Sequence, residues 1–246
     1  MLIATLNHNL PELTDNLINQ LRRDPACSQC ELMVVDNGSS EPLAKSTTHR
    51  LDNNVFFGGG FNVVLDYFLT TNHDYLYFLN NDLIFHGSRF ISQSLAEAKQ
   101  ANAAVYSPSI INASMDQCHW KQMWNWGVGL RMVRWVDFQS PLIRRDVLER
   151  IKSYPQQLIY GWGLDLYTGC ITEELGLTTI VSDHNTICHL NSQTFKQNKI
   201  NIGVQEFCRN AETNMDAYFK QSKYFQKYLD LRACLLYTSP SPRDKR

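Results

Sequence analysis

Three polar residues, Asn80, Asn81 and Asp82, close the run Tyr75-Leu76-Tyr77-Phe78-Leu79 before apolar residues resume. The run is aromatic and apolar throughout, as expected of a strand covered on both faces. A carboxylate beside two amides at such a strand's end has two readings. It is an Asx turn satisfying its own backbone, or a metal site at the edge where open α/β sheets place ligands. Comparable groups close other strand-like runs: Asn7 after Leu2–Leu6, and Asp36-Asn37-Gly38-Ser39 after Leu32–Val35. Gly58-Gly59-Gly60 with Asn62 follows "NNVFF". Each of these alone also reads as a turn or a tight connection. Further along, Asp165 sits beside Trp162 in "GWGLD", Asp137 ends "VRWVDF", and His189 lies in "CHLNSQT". Asp165 reads either as a helix-start carboxylate favoured by the dipole or as a general base. Trp162 reads as core or as a sugar-stacking face.

The elements that must hold these groups alternate in the first hundred residues. Leu2–Leu6 is a short strand, and Pro11–Arg23 a helix with Leu13, Leu17, Ile18 and Leu21 on one face. Leu32–Val35 is a buried strand, and Ser40 can cap a short helix after it. "NNVFFGGGFN" reads as a short strand entering the triple glycine. Phe61, Val64, Leu65 and Phe68 then line a helix whose N-terminus, favourable to anions, begins at Asn62. The Tyr75–Leu79 strand and a helix from about Ser88 to Ala101 follow. This alternation predicts an α/β fold with a largely parallel sheet flanked by helices.

The second half is less regular, and all five tryptophans lie between residues 120 and 162. "VRWVDF" and "SPLIRR" read as strands, "RRDVLERI" as a helix start, and "GWGLDLYTGCITEELG" as a glycine-bounded helix. "TTIVS" and "NTICHL" read as two short strands, and Val204 to Leu235 as an amphipathic helical segment. One domain over 1–235 is expected, with a regular α/β half (1–101), a half of mixed structure (102–203) and C-terminal helices (204–235). The Ser-Pro repeats in "LLYTSPSPRDKR" cannot make a helix, so 236–246 is expected to be a disordered or artefactual tail. The short first strand suggests that the N-terminus lacks a residue or two.

Composition narrows the class. With 246 residues, 43% hydrophobic, 19% charged and a net charge of −1, the chain has an ordinary globular balance and no general basicity to suggest nucleic acid. No apolar run approaches the length of a membrane span. Seven scattered cysteines, with Cys27 and Cys30 lacking a second pair at zinc-like spacing, read as reduced thiols. The expectation is a cytoplasmic protein, at most peripheral to a membrane.

Taken in order, "VDNGS", the glycine segment ending in Asn62, "LNND" and the later "HLNS" resemble the family 2 glycosyltransferases of the GT-A fold, in particular the rhamnosyltransferase-like branch. The resemblance covers about residues 2–195. It implies an inverting transferase that moves a sugar from a nucleoside diphosphate sugar to a hydroxyl of a glycan or lipid-linked glycan, in polysaccharide synthesis. By the same resemblance Asp36 accepts from the imide N–H of a pyrimidine base, with Thr5 and Asn7 on the neighbouring strand end. Gly58, Gly59, Gly60 and Asn62 lie along the nucleotide, and Asn80 and Asn81 lie near the ribose. Asp82 and His189 hold a divalent metal, Mn²⁺ or Mg²⁺, at the diphosphate, and a carboxylate–imidazole pair suits Mn²⁺ somewhat better. Asp165 is the catalytic base, with Trp162 and Asp137 on the acceptor side; Asp137 is the next candidate for the base. Two departures stand out. Asn80 replaces the family's frequent Asp, and Phe61 replaces the Arg that often precedes the Asn of the glycine segment. A non-catalytic sugar-binding protein on a transferase scaffold is the alternative. A nucleotidyltransferase would want a basic glycine-rich loop that "TLNHNLPEL" lacks.

Overall fold

The computed structural model describes residues 1–40, 42–112, 120–190 and 203–236. Strands β1 (Leu2–Asn7), β2 (Glu31–Asn37), β3 (His49–Leu51), β4 (Tyr75–Phe78), β5 (Leu83–Phe85), β6 (Ala103–Ile110), β7 (Leu130–Val133), β8 (Leu142–Arg144) and β9 (Thr178–His189) form one sheet. Its order is β3-β2-β1-β4-β8-β6-β9-β5, with β7 also on β9. Strands β1 to β4 are mutually parallel, and β8 runs antiparallel to both β4 and β6, so β6 points the same way as β4. β9 is parallel to β6, while β5 and β7 run against it. The carboxyl ends of β1, β2, β4, β6 and β9 therefore share one edge. That edge is where ligands of open α/β sheets sit.

Helices α1 (Pro11–Leu21), α2 (Phe56–Thr70), α3 (Phe90–Gln100), α4 (Arg145–Ile151) and α5 (Leu164–Glu174) cover the sheet, followed by α6 (Val204–Gln221) and α7 (Phe225–Leu236). α1 starts on Pro11, whose fixed φ suits a first turn, and buries Thr14, Leu17, Ile18 and Leu21. β4 and β6 are buried at every position, which explains the unbroken apolar character of β4; in β6 the only polar residues are the small Ser107 and Ser109. Phe61 of α2 packs on Phe78, Phe138 and Tyr154 with ring centroids 4.5, 5.3 and 5.2 Å apart. No helix among the described residues is long and apolar enough to cross a membrane.

Several expectations are corrected. Residues 55–60 form no strand: α2 begins at Phe56, so the three glycines and Asn62 lie inside the helix. The cause is tertiary. The amide of Gly58 donates to Ile159 O at 2.7 Å, and Asn54 Oδ1 accepts from the Phe56 amide at 2.8 Å, which turns the chain into the helix. Ser40 caps no helix, because its amide and hydroxyl both donate to Asn9 Oδ1. "VRWVDF" is a strand only at its first residue, where β7 ends. "TTIVS" and "NTICHL" are one strand, β9, whose pairing with β6 jumps from Ser182 to Thr186 while β6 advances from Pro108 to Ser109. The segment from Val204 is two helices, broken where Ser222 Oγ accepts from the Tyr224 amide at 3.2 Å. The expected tail, from residue 237 onward, lies outside the described residues.

Candidate active site

At the first strand pair, Asn7 and Asp36 are direct partners in the β1–β2 register, and both are buried. Asn7 Nδ2 donates to Asp36 Oδ1 at 2.9 Å, and Asn7 Oδ1 accepts from the Leu10 amide and the Thr14 hydroxyl. Asp36 Oδ2 accepts from the Ser39 amide at 3.1 Å, closing an Asx turn. With both oxygens engaged and 0% exposure, Asp36 presents no open face in this structure. In this arrangement Asp36 braces the β1–β2 corner. Two accessible groups at this corner, which the sequence reading passed over, are Arg50, 3.9 Å from Asp36 Oδ2, and His8. The His8 Nδ1 lies 3.0 Å from Asn37 O, and its Nε2 is reached by the amides of Asn9 and Asn54. A neutral imidazole with the proton on Nδ1 satisfies all three contacts. Thr5 is buried, with no hydrogen-bond partner for its hydroxyl among the described residues.

The glycine run does a different job from the one expected. A Cβ on Gly58 would lie 2.3 Å from Leu158 O, one on Gly59 2.9 Å from Val55 Cβ, and one on Gly60 2.7 Å from Leu6 Cδ1. The space they leave is filled by protein, and it lets α2 seat directly on β1 and on the 156–159 turn. Asn62 is likewise engaged: its amide group donates to Tyr154 O and its oxygen accepts from the Tyr154 amide. Gly161 and Gly163 do not open room for a sugar either, since Phe57 and Met215 occupy the sides a Cβ would take.

The carboxylates converge. Asp82, at the mouth of β5, lies with its Oδ1 3.0 Å from His189 Nε2 at the end of β9. The two strands pair there, Leu83 opposite His189, and Asn112 grips the His189 backbone through both its amide atoms. Asn80 and Asn81 are partly exposed beside them. The Asn80 amide donates to Gln139 O, and the Asn81 side chain donates to Thr14 Oγ1. Asp137 accepts from Gln139 Nε2 at 2.7 Å; burial pushes its carboxyl up, while the nearby His189 charge and the Gln139 hydrogen bond oppose this. Asp165 opens α5, and burial together with the charge of Asp137 pushes its carboxyl up to about 8. The backbone amides of the helix start pull it down by less. Both residues remain partly accessible. Trp162, 41% exposed, stands one turn before Asp165.

Asp82 and His189 are the residues that could hold a cation, one oxygen and one nitrogen donor already converging on one point. Among the described residues no group of three or more His, Cys, Asp or Glu side chains is placed to hold a metal. The donor set thus fits a divalent ion that brings most of its shell from a diphosphate and water, rather than one caged by protein. Arg144 and Arg145 lie elsewhere: Arg144 pairs with Asp146, and Arg145 caps carbonyls of residues 68, 71 and 73. Glu173 and Glu174 are not free surface groups, since Arg134 pairs with the first and Arg150, Lys223 and Tyr224 with the second.

Neither a protein-family model nor a curated protein sequence matches the chain. Solved structures match it in fold. A mannosyltransferase from Pyrobaculum calidifontis, PcManGT, in complex with GDP-Man and Mn²⁺, is 11% identical with a TM-score of 0.62, over 96% of this chain and 70% of that one. TarS of S. aureus in complex with UDP-GlcNAc is 12% identical with a TM-score of 0.61, over 90% and 67%. GalNAc-T7 with UDP, GalNAc and Mn²⁺ is 10% identical with a TM-score of 0.60, over 76% of this chain and 43% of that one. The chain has the mixed α/β architecture of these GT-A glycosyltransferases, with a mostly parallel central sheet flanked by helices.

Proposed function

We propose that the chain is an inverting glycosyltransferase that moves a sugar from a nucleoside diphosphate sugar to an acceptor hydroxyl, in glycan or polysaccharide synthesis. The observation that carries this is the gathering of Asp82, His189, Asp137 and Asp165 along the ligand edge of a GT-A sheet. The fold relatives whose structures hold nucleotide sugars and Mn²⁺ support the donor class.

In this reading the β1–β2 corner, braced by Asn7 and Asp36 and faced by His8, takes the nucleoside, and Asn80 and Asn81 take the ribose. Asp82 and His189 would hold Mn²⁺ or Mg²⁺, which when bound supplies positive charge to the leaving diphosphate. Inversion places the acceptor hydroxyl opposite that diphosphate, where Asp165 receives its proton. A carboxylate poised near 8 is a stronger base than an ordinary one while still partly ionised at neutral pH. Asp137 sustains that basicity by its charge, and Trp162 walls the acceptor side.

The test is donor turnover with a panel of uridine, guanosine and thymidine diphosphate sugars, with and without Mn²⁺. Metal-dependent release of nucleoside diphosphate, lost in Asp165→Asn only when acceptor is present, is the expected result. No binding of any nucleoside diphosphate by calorimetry would overturn the proposal.

A further inference from the structure

Trp126 is 53% exposed, yet it is held as firmly as a core residue. Its ring lies nearly parallel to that of Trp124, with centroids 5.9 Å apart and planes at 24°, and its Nε1–H donates to Lys121 O. Its backbone amide donates to Asp183 Oδ2, and so does that of Val128. Asp183, a nearly inaccessible carboxylate, is gripped by Arg131, whose guanidinium also donates to Gln122 O and Trp124 O. Asn125 ties the same turn to Ser109 Oγ and Asp183 O. A buried ion pair with this many satisfied hydrogen bonds is a costly way to fix an indole that faces water. Such fixing removes the ordering cost of a stacked complex in advance.

The location matters as much as the rigidity. The Trp124 backbone bridges to Ile110 at the carboxyl end of β6, the edge that also carries Asp82 and His189. Met123 Sδ accepts from the amide of Asp137 at 3.4 Å, so the platform segment abuts the carboxylate cluster. Lys121 and Gln122 bring polar groups to the same turn. A flat apolar ring flanked by hydrogen-bonding groups suits the apolar face and equatorial hydroxyls of a pyranose.

We propose that Trp126, backed by Trp124, is a carbohydrate-binding platform that seats a sugar ring of an extended glycan. Its identification as an acceptor subsite rests on the transferase reading. The platform recognises a ring away from the reacting hydroxyl, so it favours oligosaccharides over monosaccharides.

The experiment is binding of the full chain to an array of defined oligosaccharides, using the parent, Trp126→Ala, Trp126→Phe and Val128→Ala. The expected result is binding of at least one glycan by the parent, weakened about ten-fold or more by Trp126→Ala. Trp126→Phe, which keeps an aromatic plane, and Val128→Ala should bind within a few-fold of the parent. Unchanged thermal melting of Trp126→Ala would show that the loss is not unfolding. Three outcomes would overturn the proposal: no array glycan bound by the parent, equal binding by Trp126→Ala, or a concentration-dependent dimer of the parent that Trp126→Ala abolishes. Nucleoside diphosphate calorimetry, run in parallel, tests the transferase reading separately. A glycan platform without nucleotide binding would leave the platform standing and remove only its role as acceptor subsite.

Discussion

Asp82 Oδ1 and His189 Nε2 stand 3.0 Å apart, across the pairing of β5 with β9. The carboxylate and the imidazole are in direct contact, so a cation with diphosphate would displace this contact rather than fill a ready cage. Mn²⁺ alone is therefore expected to bind weakly, and Mn²⁺ with UDP or GDP much more strongly. Asp82→Ala should abolish that synergy and lower transfer by roughly 10²-fold or more. Transfer at the parent rate in excess chelator would contradict this.

Asp165 supplies a pH signature. Its folded-state carboxyl, pushed up to about 8 from an ordinary 3.8, holds a proton more tightly than the unfolded chain does. The associated stability is full below about pH 4 and is lost as pH rises through about 8. Asp165→Asn, which never ionises, should therefore melt higher than the parent at alkaline pH, by roughly 1–3 kcal/mol of stability, and with the parent in acid. The same variant should lose transfer by roughly 10²-fold or more. Parallel melting curves at every pH would show that Asp165 is not perturbed.

Asp137 is expected to act on Asp165 through charge. Asp137→Asn removes the neighbouring negative charge that raises Asp165, so the acid limb of the pH–rate profile should move to lower pH. If Asp137 is itself the base, activity collapses at all pH values instead of shifting. The profile distinguishes the two.

Asn7→Ala should cost stability as well as affinity. It leaves one buried oxygen of Asp36 and the Leu10 amide short of a partner, a loss of about 1–3 kcal/mol by chemical denaturation. Nucleoside diphosphate affinity should fall with it, because the corner is braced by this amide. Weaker binding at unchanged stability would make Asn7 a direct ligand contact.

The glycine run predicts an unequal series. Gly58→Ala drives a Cβ into a backbone carbonyl, which cannot step aside, whereas Gly60→Ala meets the end of the flexible Leu6 side chain. Gly58→Ala should lose about 2–3 kcal/mol and Gly60→Ala about 1 kcal/mol or less. Equal losses in thermal melts would reject the packing account.

The strands that end in polar clusters were legible because a doubly covered strand is apolar until it reaches the ligand edge. Tyr75–Leu79 followed by Asn80-Asn81-Asp82 is that pattern. Less legible was the start of α2, where "VFF" has strand propensity while the Asn54 side chain and a contact with Ile159, about a hundred residues away, support the helix. β6 went unread because Pro108 stands inside "AAVYSPSI", and proline in a central strand argues against one. It falls at the register shift opposite Ser182. The bracing roles of Asn7, Asn62 and Asp36 were out of reach, since residue type at a strand end or in a helix does not say whether an amide faces a ligand or a neighbouring loop. His8, Thr14 and Gln139 left no motif at all.

The three residues Asp183, His184 and Asn185 loop out of β9 between its pairings with Pro108 and Ser109. They add length without advancing the strand, so along the sheet Ser182 and His189 are separated by only about four strand rises, ~13 Å. The bulge is tied down on both sides: Asp183 accepts from the amides of Trp126 and Val128, and Asn185 donates to Phe90 O and Ser94 Oγ, while His189 keeps its register with Leu83. One strand thus carries a tied-down bulge that fixes the Trp126 turn and, about four rises further on, an end that sets His189 beside Asp82.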